Sequence, residues 1–415
     1  MVNYINLCFD YDTVYEKDGV PYISNDIVSS WWTSRIEFLD DVFFYKHWSC
    51  VSIISWSRQD NRSMILWDGA FSVQKTDGLE KTFYKDFWMA KNTEECQQIR
   101  QAYNDALFQF ALQSIENITR YRKERWLDPI VYDFLHTPTT WLTIAAAKKL
   151  AKHLGIALVS SIHVKEKEIQ SLMGNQYPWA DFILEKGKET EILSDLVIAK
   201  DKSLAEEIRQ NNKNCIYVGN DLDFETYEDK ILLQKDPHMI LYVWRISYAK
   251  WFDRFAEIIE EINKKPNRYV FTICWPLRDD GKLKTHIEKL KTYKNVYFEW
   301  QVGRVTIQDV FLNAGTYILW SRTETYNQTT MEALFYWCNV IATDVWGIKD
   351  QLSGCESGSV LPNDEHFVEH TLKLLEHMDL SYEKSSAAYQ YANKKFNSNI
   401  RRKYKMDFLE KFFSK

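Results

Sequence analysis

Short apolar runs alternate with longer stretches of helical periodicity along the chain of 415 residues. Residues 4–9, 50–56, 130–135, 156–162, 196–199 and 215–218 read as strands, and a second set follows at 239–243, 269–274, 296–300, 317–320 and 340–343. The runs are apolar almost without interruption, which suits parallel strands covered on both faces. Between them, 140–154, 203–210 and 251–263 carry helical spacing, and 382–415 reads as further helices. This alternation predicts βαβ units and parallel sheets. A polar stretch at 223–237 separates the two sets. The expected fold is α/β: two Rossmann-like, doubly wound domains, 1–222 and 223–396, facing each other across a cleft. Ligands in such folds bind at the carboxyl ends of the strands and between domains.

Composition narrows the class. A net charge of −6 and a pI near 5.9 argue against a general nucleic-acid binder. Cys8, Cys50, Cys96, Cys215, Cys274, Cys338 and Cys355 are odd in number and none are spaced as CxxC. Neither a zinc site nor a disulfide framework is expected, and a reducing, cytoplasmic compartment fits. The start lacks the charged and apolar regions of a signal peptide. No uncharged apolar run approaches the ~18 residues of a membrane span. The abundant aromatics, with 16 Trp and 24 Tyr, could stack on sugar rings, although core filling accounts for most of them.

Two segments carry candidate chemistry. The first is Ser321-Arg-Thr-Glu324-Thr-Tyr-Asn-Gln-Thr-Thr-Met-Glu332, which leaves the strand at 317–320 and enters a helix. Its two carboxylates can reach one polyol ligand, and backbone N–H groups at the helix start can bind an anion. The plainer reading is an acidic first turn complementing the helix dipole. The second segment, Val243-Trp-Arg245-Ile-Ser-Tyr-Ala-Lys250, puts two cations at the carboxyl end of a buried strand. There they can neutralise a diphosphate leaving group, Arg with a planar two-donor fork. The plainer reading is a solvated pair.

In order along the chain, these segments resemble the retaining glycosyltransferases of family 4, which have the GT-B fold. Arg245 and Lys250 match the family's Arg-x4-Lys segment, and Glu324 and Glu332 match its Glu-x7-Glu motif. Ser160-Ser-Ile-His163, Asp195-Leu-Val-Ile-Ala, Asn220-Asp-Leu-Asp223 and Ala342-Thr-Asp-Val-Trp-Gly347 are similar to further segments of that family. The resemblance implies that Arg245 and Lys250 hold the donor diphosphate and stabilise its departure. It assigns Glu324 to hydroxyls of the donor sugar, Glu332 to the ribose, and His163 to the donor sugar from the facing domain. Asn327, Gln328, Thr329 and Gly347 join them in binding the donor, and His136 matches another histidine of the family. The last helix, about 397–415, is expected to return to the N-terminal, acceptor-side domain. No metal or other cofactor is implied; the partners are a nucleotide-sugar and an unknown glycan or glycoconjugate acceptor. The sequence departs from the pattern at Thr325, Tyr326 and Asn327, where the family usually has Gly, Phe and Gly. Asn327 tolerates positive φ and is expected to preserve the loop. Trp346 replaces a glycine of the later loop, and the glycine pair after the first strand is absent.

Weaker signals remain. Asp10-Tyr-Asp12 and Asp221-Leu-Asp223 have the spacing of metal-binding carboxylate pairs, but neither sits where a metal-dependent transferase would carry one. Arg120, Arg122, Lys123 and Arg125 form a basic cluster that reads as a solvated helix end or as a peripheral contact with anionic lipid. The alternatives to a glycan-building transferase are a non-catalytic GT-B-like subunit binding a partner or glycan, or a transferase acting on a small metabolite or modified DNA.

Overall fold

The computed structural model describes residues 2–9, 14–17, 20–23, 41, 43–44, 46–47, 49–56, 64–66, 71–76, 83, 86–87, 89–138, 140–163, 178–220, 222, 235–243, 250–274, 283–299, 304–322, 324, 326–345, 347–362, 364, 366–377 and 382–414. The chain forms two compact units. One is built mainly from the chain up to Gly219 together with Asn399–Lys415, the other mainly from Asn220–Ser398.

The first unit contains, in chain order, β1 (Tyr4–Phe9), β2 (Val14–Lys17), β3 (Val20–Ile23), β4 (Val51–Trp56), β5 (Met64–Leu66), β6 (Phe71–Thr76) and α1 (Thr93–Glu124). It continues with β7 (Phe134–Thr137), α2 (Thr140–Leu154), β8 (Ala157–Ile162), α3 (Pro178–Leu193), β9 (Leu196–Ala199), α4 (Lys202–Ile208) and β10 (Cys215–Tyr217). Eight strands make one sheet in the order β10-β9-β8-β7-β1-β4-β6-β5, parallel except for the β5–β6 pair. Side chains alternate between its faces. Ile5 and Leu7 face a cluster with Leu107, Leu142, Leu150 and Phe182 from the helices. Tyr4, Val51, Phe134 and Ile198 face the other way. That second face is covered by the final helix, Ser398–Phe413, through Leu409, Met406, Phe408 and Phe413. Phe413 stacks on Phe134 at 4.8 Å.

The strand expected at 130–135 begins only at Phe134. Pro129 has no N–H to donate, and the Asp133 side chain competes for the ladder: its carboxylate accepts the Asn3 N–H at 2.7 Å. Strands β2, β3, β5 and β6 were not among those read from the sequence. β2 and β6 mix polar and apolar residues, and β3 and β5 are only four and three residues long.

The second unit contains β11 (Asp236–Val243), α5 (Phe252–Ile262), β12 (Val270–Cys274), α6 (Lys284–Leu290), β13 (Val296–Glu299), α7 (Arg304–Asn313) and β14 (Ala314–Leu319). Then come α8 (Gln328–Phe335), β15 (Asn339–Thr343), α9 (Gly347–Leu352), β16 (Gly358–Leu361), α10 (Phe367–His377) and α11 (Tyr382–Phe396); the helix Ser398–Phe413 of the first unit is α12. Its sheet is all parallel, in the order β13-β12-β11-β14-β15-β16. Relative to the unit's own first strand this is the 3-2-1-4-5-6 order of a dinucleotide-binding sheet, and the strand order, not the strand direction, reverses between β11 and β14. Both faces are covered: Leu241 and Val243 pack with α8 and α11, while Ile240 and Tyr242 pack with α5 and α10. This double burial explains why β11 reads as an unbroken apolar run. Gly315 lets β14 approach β11 closely, since a Cβ there would lie 2.8 Å from the Pro237 Cα.

Candidate active site

The site residues of the second unit gather where the strand order of the sheet reverses. β11 ends at Val243, and Lys250 lies just before α5. β14 ends at Leu319 and leads through Trp320 and Ser321 to Glu324. Because β11 and β14 are hydrogen-bonded neighbours, their exits lie side by side. Lys250 Nζ donates to Glu324 Oε1 at 2.6 Å and lies 3.4 Å from Ser321 Oγ. Both charged side chains are almost entirely buried, at 11% and 8% exposure. An isolated buried charge of either sign costs several kcal/mol, about as much as the attraction to its partner returns. The solvated-pair reading of Lys250 therefore fails.

Further contacts join the two exits. Arg322 grips both carboxylate oxygens of Asp253, at 3.1 and 3.4 Å, and lies over the Trp251 ring at 5.1 Å. Trp251 itself adopts φ 46, ψ 37 immediately before α5. A left-handed non-glycine conformation costs on the order of 1–3 kcal/mol and persists only where surroundings impose it. Here the ring is held between Arg322 and Phe367. Ser321 is fixed from β15, where the Thr343 hydroxyl donates to its carbonyl at 3.0 Å.

Asn327 organises the segment between Glu324 and α8. Its φ is −87, not the positive value expected from the sequence, because it serves as the N-cap. Its Oδ1 accepts from the Thr330 N–H at 2.7 Å and from the Thr329 hydroxyl at 2.7 Å, and its Nδ2 donates to Glu324 Oε1 at 3.1 Å. One side chain thus starts the helix and orients the carboxylate. Gln328, Thr329 and Glu332 are buried on α8, and Gly347 is buried at the start of α9. α8 has no acidic residue in its first turn, so the dipole reading of Glu324 and Glu332 does not hold. Glu332 lies on the next turn. Burial holds the Tyr317 phenol well above its ordinary pKa; its hydrogen bond with Thr329 opposes this, and the charges of Glu324 and Glu332 add to it. Burial likewise raises Tyr242, whose hydroxyl donates to the Lys250 carbonyl at 3.3 Å.

His163 belongs to the first unit, half-buried just beyond β8. His136, on β7, is buried and makes a 2.8 Å hydrogen bond with Ser161. Arg245 lies outside the described residues, as do Thr325, Trp346 and the carboxylates Asp10, Asp12, Asp221 and Asp223. Among the described residues no group of three or more His, Cys, Asp or Glu could hold a metal, and no helix is long and apolar enough to cross a membrane. The basic cluster lies at the exposed end of α1, with Arg125 over the Tyr121 ring and Arg122 donating to the Asp128 carbonyl. Sequence reasoning missed Gln351, on α9, whose amide meets the Asn327 backbone twice, at 2.9 Å each.

Comparison with known proteins places this geometry. Residues 223–395 match the family "Glycosyl transferases group 1". The second unit is similar to a group 1 glycosyltransferase domain. The Lys250–Glu324 pair lies inside it, at the switch point of its sheet. The fold is GT-B, with two Rossmann-like parallel-sheet domains. Sucrose-phosphate synthase from Thermosynechococcus elongatus is 13% identical and superposes with a TM-score of 0.71, over 99% of each chain. The catalytic domain of starch synthase IV from Arabidopsis thaliana, bound to ADP and acarbose, gives 12% identity and a TM-score of 0.66 over 100% of both chains. HepE of Anabaena in complex with UDP gives 11% and 0.61, over 98% of this chain and 99% of the other. No curated protein matches the chain in sequence.

Proposed function

We propose that the protein transfers a hexose from a nucleotide-sugar donor to a glycan or glycoconjugate acceptor, with retention of anomeric configuration. The observation that carries this reading is the buried Lys250–Glu324 pair at the β11/β14 switch point of the group 1 domain. A cation and a carboxylate 2.6 Å apart can serve the two ends of one donor. Lys250, with Arg245, meets the diphosphate and stabilises the charge that grows as the glycosidic bond breaks. Glu324 accepts hydrogen bonds from hydroxyls of the sugar, and Glu332 from the ribose. Asn327, Gln328, Thr329 and Gly347 complete the donor site. Solved structures with the same fold hold UDP or ADP, which supports a nucleoside diphosphate as leaving group.

The reading extends to mechanism. With two cations at the leaving group, no divalent metal is required. Glu324 is occupied as a hydroxyl acceptor, so no carboxylate is assigned as a nucleophile on the opposite face of the ring. The acceptor hydroxyl attacks on the leaving group's face, and the departing phosphate oxygen takes its proton. Transfer is tested with the matching donor in excess EDTA, the product's anomeric coupling being read by proton NMR. An α-linked donor should give an α-linked product without metal. A β-linked product, or loss of turnover that added metal restores, would contradict the corresponding part of the proposal.

A further inference from the structure

Gln351 is fully buried on α9, a short helix otherwise packed through Ile348 and Leu352. Its Oε1 accepts the Asn327 N–H at 2.9 Å and its Nε2 donates to the Asn327 carbonyl at 2.9 Å. One side-chain amide thus satisfies both backbone groups of Asn327 and fixes the plane of its flanking peptides. Asn327 Nδ2 then meets Glu324 Oε1, the atom that Lys250 also contacts. On its other side Gln351 is anchored through its own carbonyl, which accepts from the Tyr391 hydroxyl at 2.7 Å and lies 3.3 Å from Lys395 Nζ. A continuous path of hydrogen bonds therefore runs from α11 through α9 to the Lys250–Glu324 pair.

We propose that Gln351 is a positioning residue of the donor site: its carboxamide sets the Asn327 backbone, and Asn327 in turn aims the Glu324 carboxylate at Lys250. The inference rests on the reading of that pair as the donor-handling groups. The amide donates and accepts at this span and carries no charge at any ordinary pH. Leucine fills the same volume but leaves two buried backbone groups unmatched. Glutamate matches both when protonated, its carbonyl oxygen accepting and its hydroxyl donating. When ionised it loses the donor and adds a buried negative charge beside Glu324.

The test compares wild type, Gln351→Leu and Gln351→Glu at equal folded fraction. The first readout needs no donor. Amine labelling of Lys250 is measured by mass spectrometry against exposed Lys152 in the same molecule. Gln351→Glu should label Lys250 several-fold faster than wild type at about pH 9.5 and approach wild type at about pH 6, because full burial raises a carboxyl's pKa by roughly 3–5 units, to a value between the two. The second readout is turnover: kcat of Gln351→Glu should fall about 10-fold or more at the higher pH and recover at the lower, with donor KM changing less. Lys250 labelling that is the same in wild type and Gln351→Glu at both pH values would overturn the inference, whatever becomes of the unstable leucine variant. Wild type that turns over no nucleotide-sugar would sink the proposed function instead, while the labelling ratio still decides the role of Gln351.

Discussion

At the level of single residues, the buried ion pair makes two demands that its substitution separates. Lys250→Met removes the ammonium but keeps most of the volume. It leaves the Glu324 carboxylate buried with Asn327 and without its cation. Breaking such a pair from one side costs on the order of 3–5 kcal/mol, so the variant should denature at clearly lower urea than wild type. Per folded molecule its turnover should fall about 10²–10³-fold, the usual loss for one preorganised charge. Arg245→Ala should show the kinetic loss, and, with both residues proposed to act on one leaving group, the double variant should lose less than the product of the singles. Wild-type turnover by folded Lys250→Met would remove that residue from the site. Lys250 and Glu324 stood out in the sequence because each follows an apolar run that suits a covered parallel strand and because their spacing resembles a glycosyltransferase pattern. Asn327 was legible as a loop residue but misread in conformation. The signal that would have corrected it is an Asn followed by Thr329 and Thr330 ahead of an apolar helix, a helix N-cap pattern. Gln351 carried no such signal. Its partner is 24 positions away, and an amide inside a short apolar helix belongs to no motif.

Among the elements, the covered strands were read most securely. β1, β9 and α2 begin and end where the hydrophobic pattern put them, and in β9 every side chain is buried. β14 began three residues earlier than expected, at Ala314, because Gly315 gives no apolar signal although it makes the close approach to β11 possible. Gly315→Ala would press a methyl group against the Pro237 backbone on the neighbouring strand. Overpacking of this kind costs typically 1–3 kcal/mol, and a lower denaturation midpoint with an unchanged m-value should report it. A variant as stable as wild type would show that β11 yields at its start, where its register already shifts between Asp236 and Ile240. Arg322→Ala is a second test of how the strand exits are joined. It should lower stability modestly and turnover more, because Asp253 and Trp251 lose the contact that ties them to the β14 exit.

For the molecule as a whole, the alternation of strands and helices was enough to read two doubly wound domains, since few other arrangements cover both faces of so many apolar strands. The last helix was harder to place. α12 is polar around much of its surface, yet Leu409, Phe408, Phe412 and Phe413 close one face of the first unit's sheet. Deleting 397–415 should uncover that face. The truncated protein is expected to bind a hydrophobic dye and to melt several degrees lower, and a soluble truncation with unchanged melting would contradict the packing. The central claim is narrower: the carboxyl edge of β11 and β14 in the second unit is a nucleotide-sugar donor site that depends on Lys250. Thermal shift measured with UDP, ADP, GDP and CMP on wild type and Lys250→Met tests it most directly, because a ligand that binds only the folded state raises its melting temperature by an amount that grows with the logarithm of its affinity. One nucleoside diphosphate should stabilise wild type, and the same concentration should stabilise Lys250→Met far less. Equal stabilisation of both proteins, or none of wild type by any nucleotide, would contradict the account.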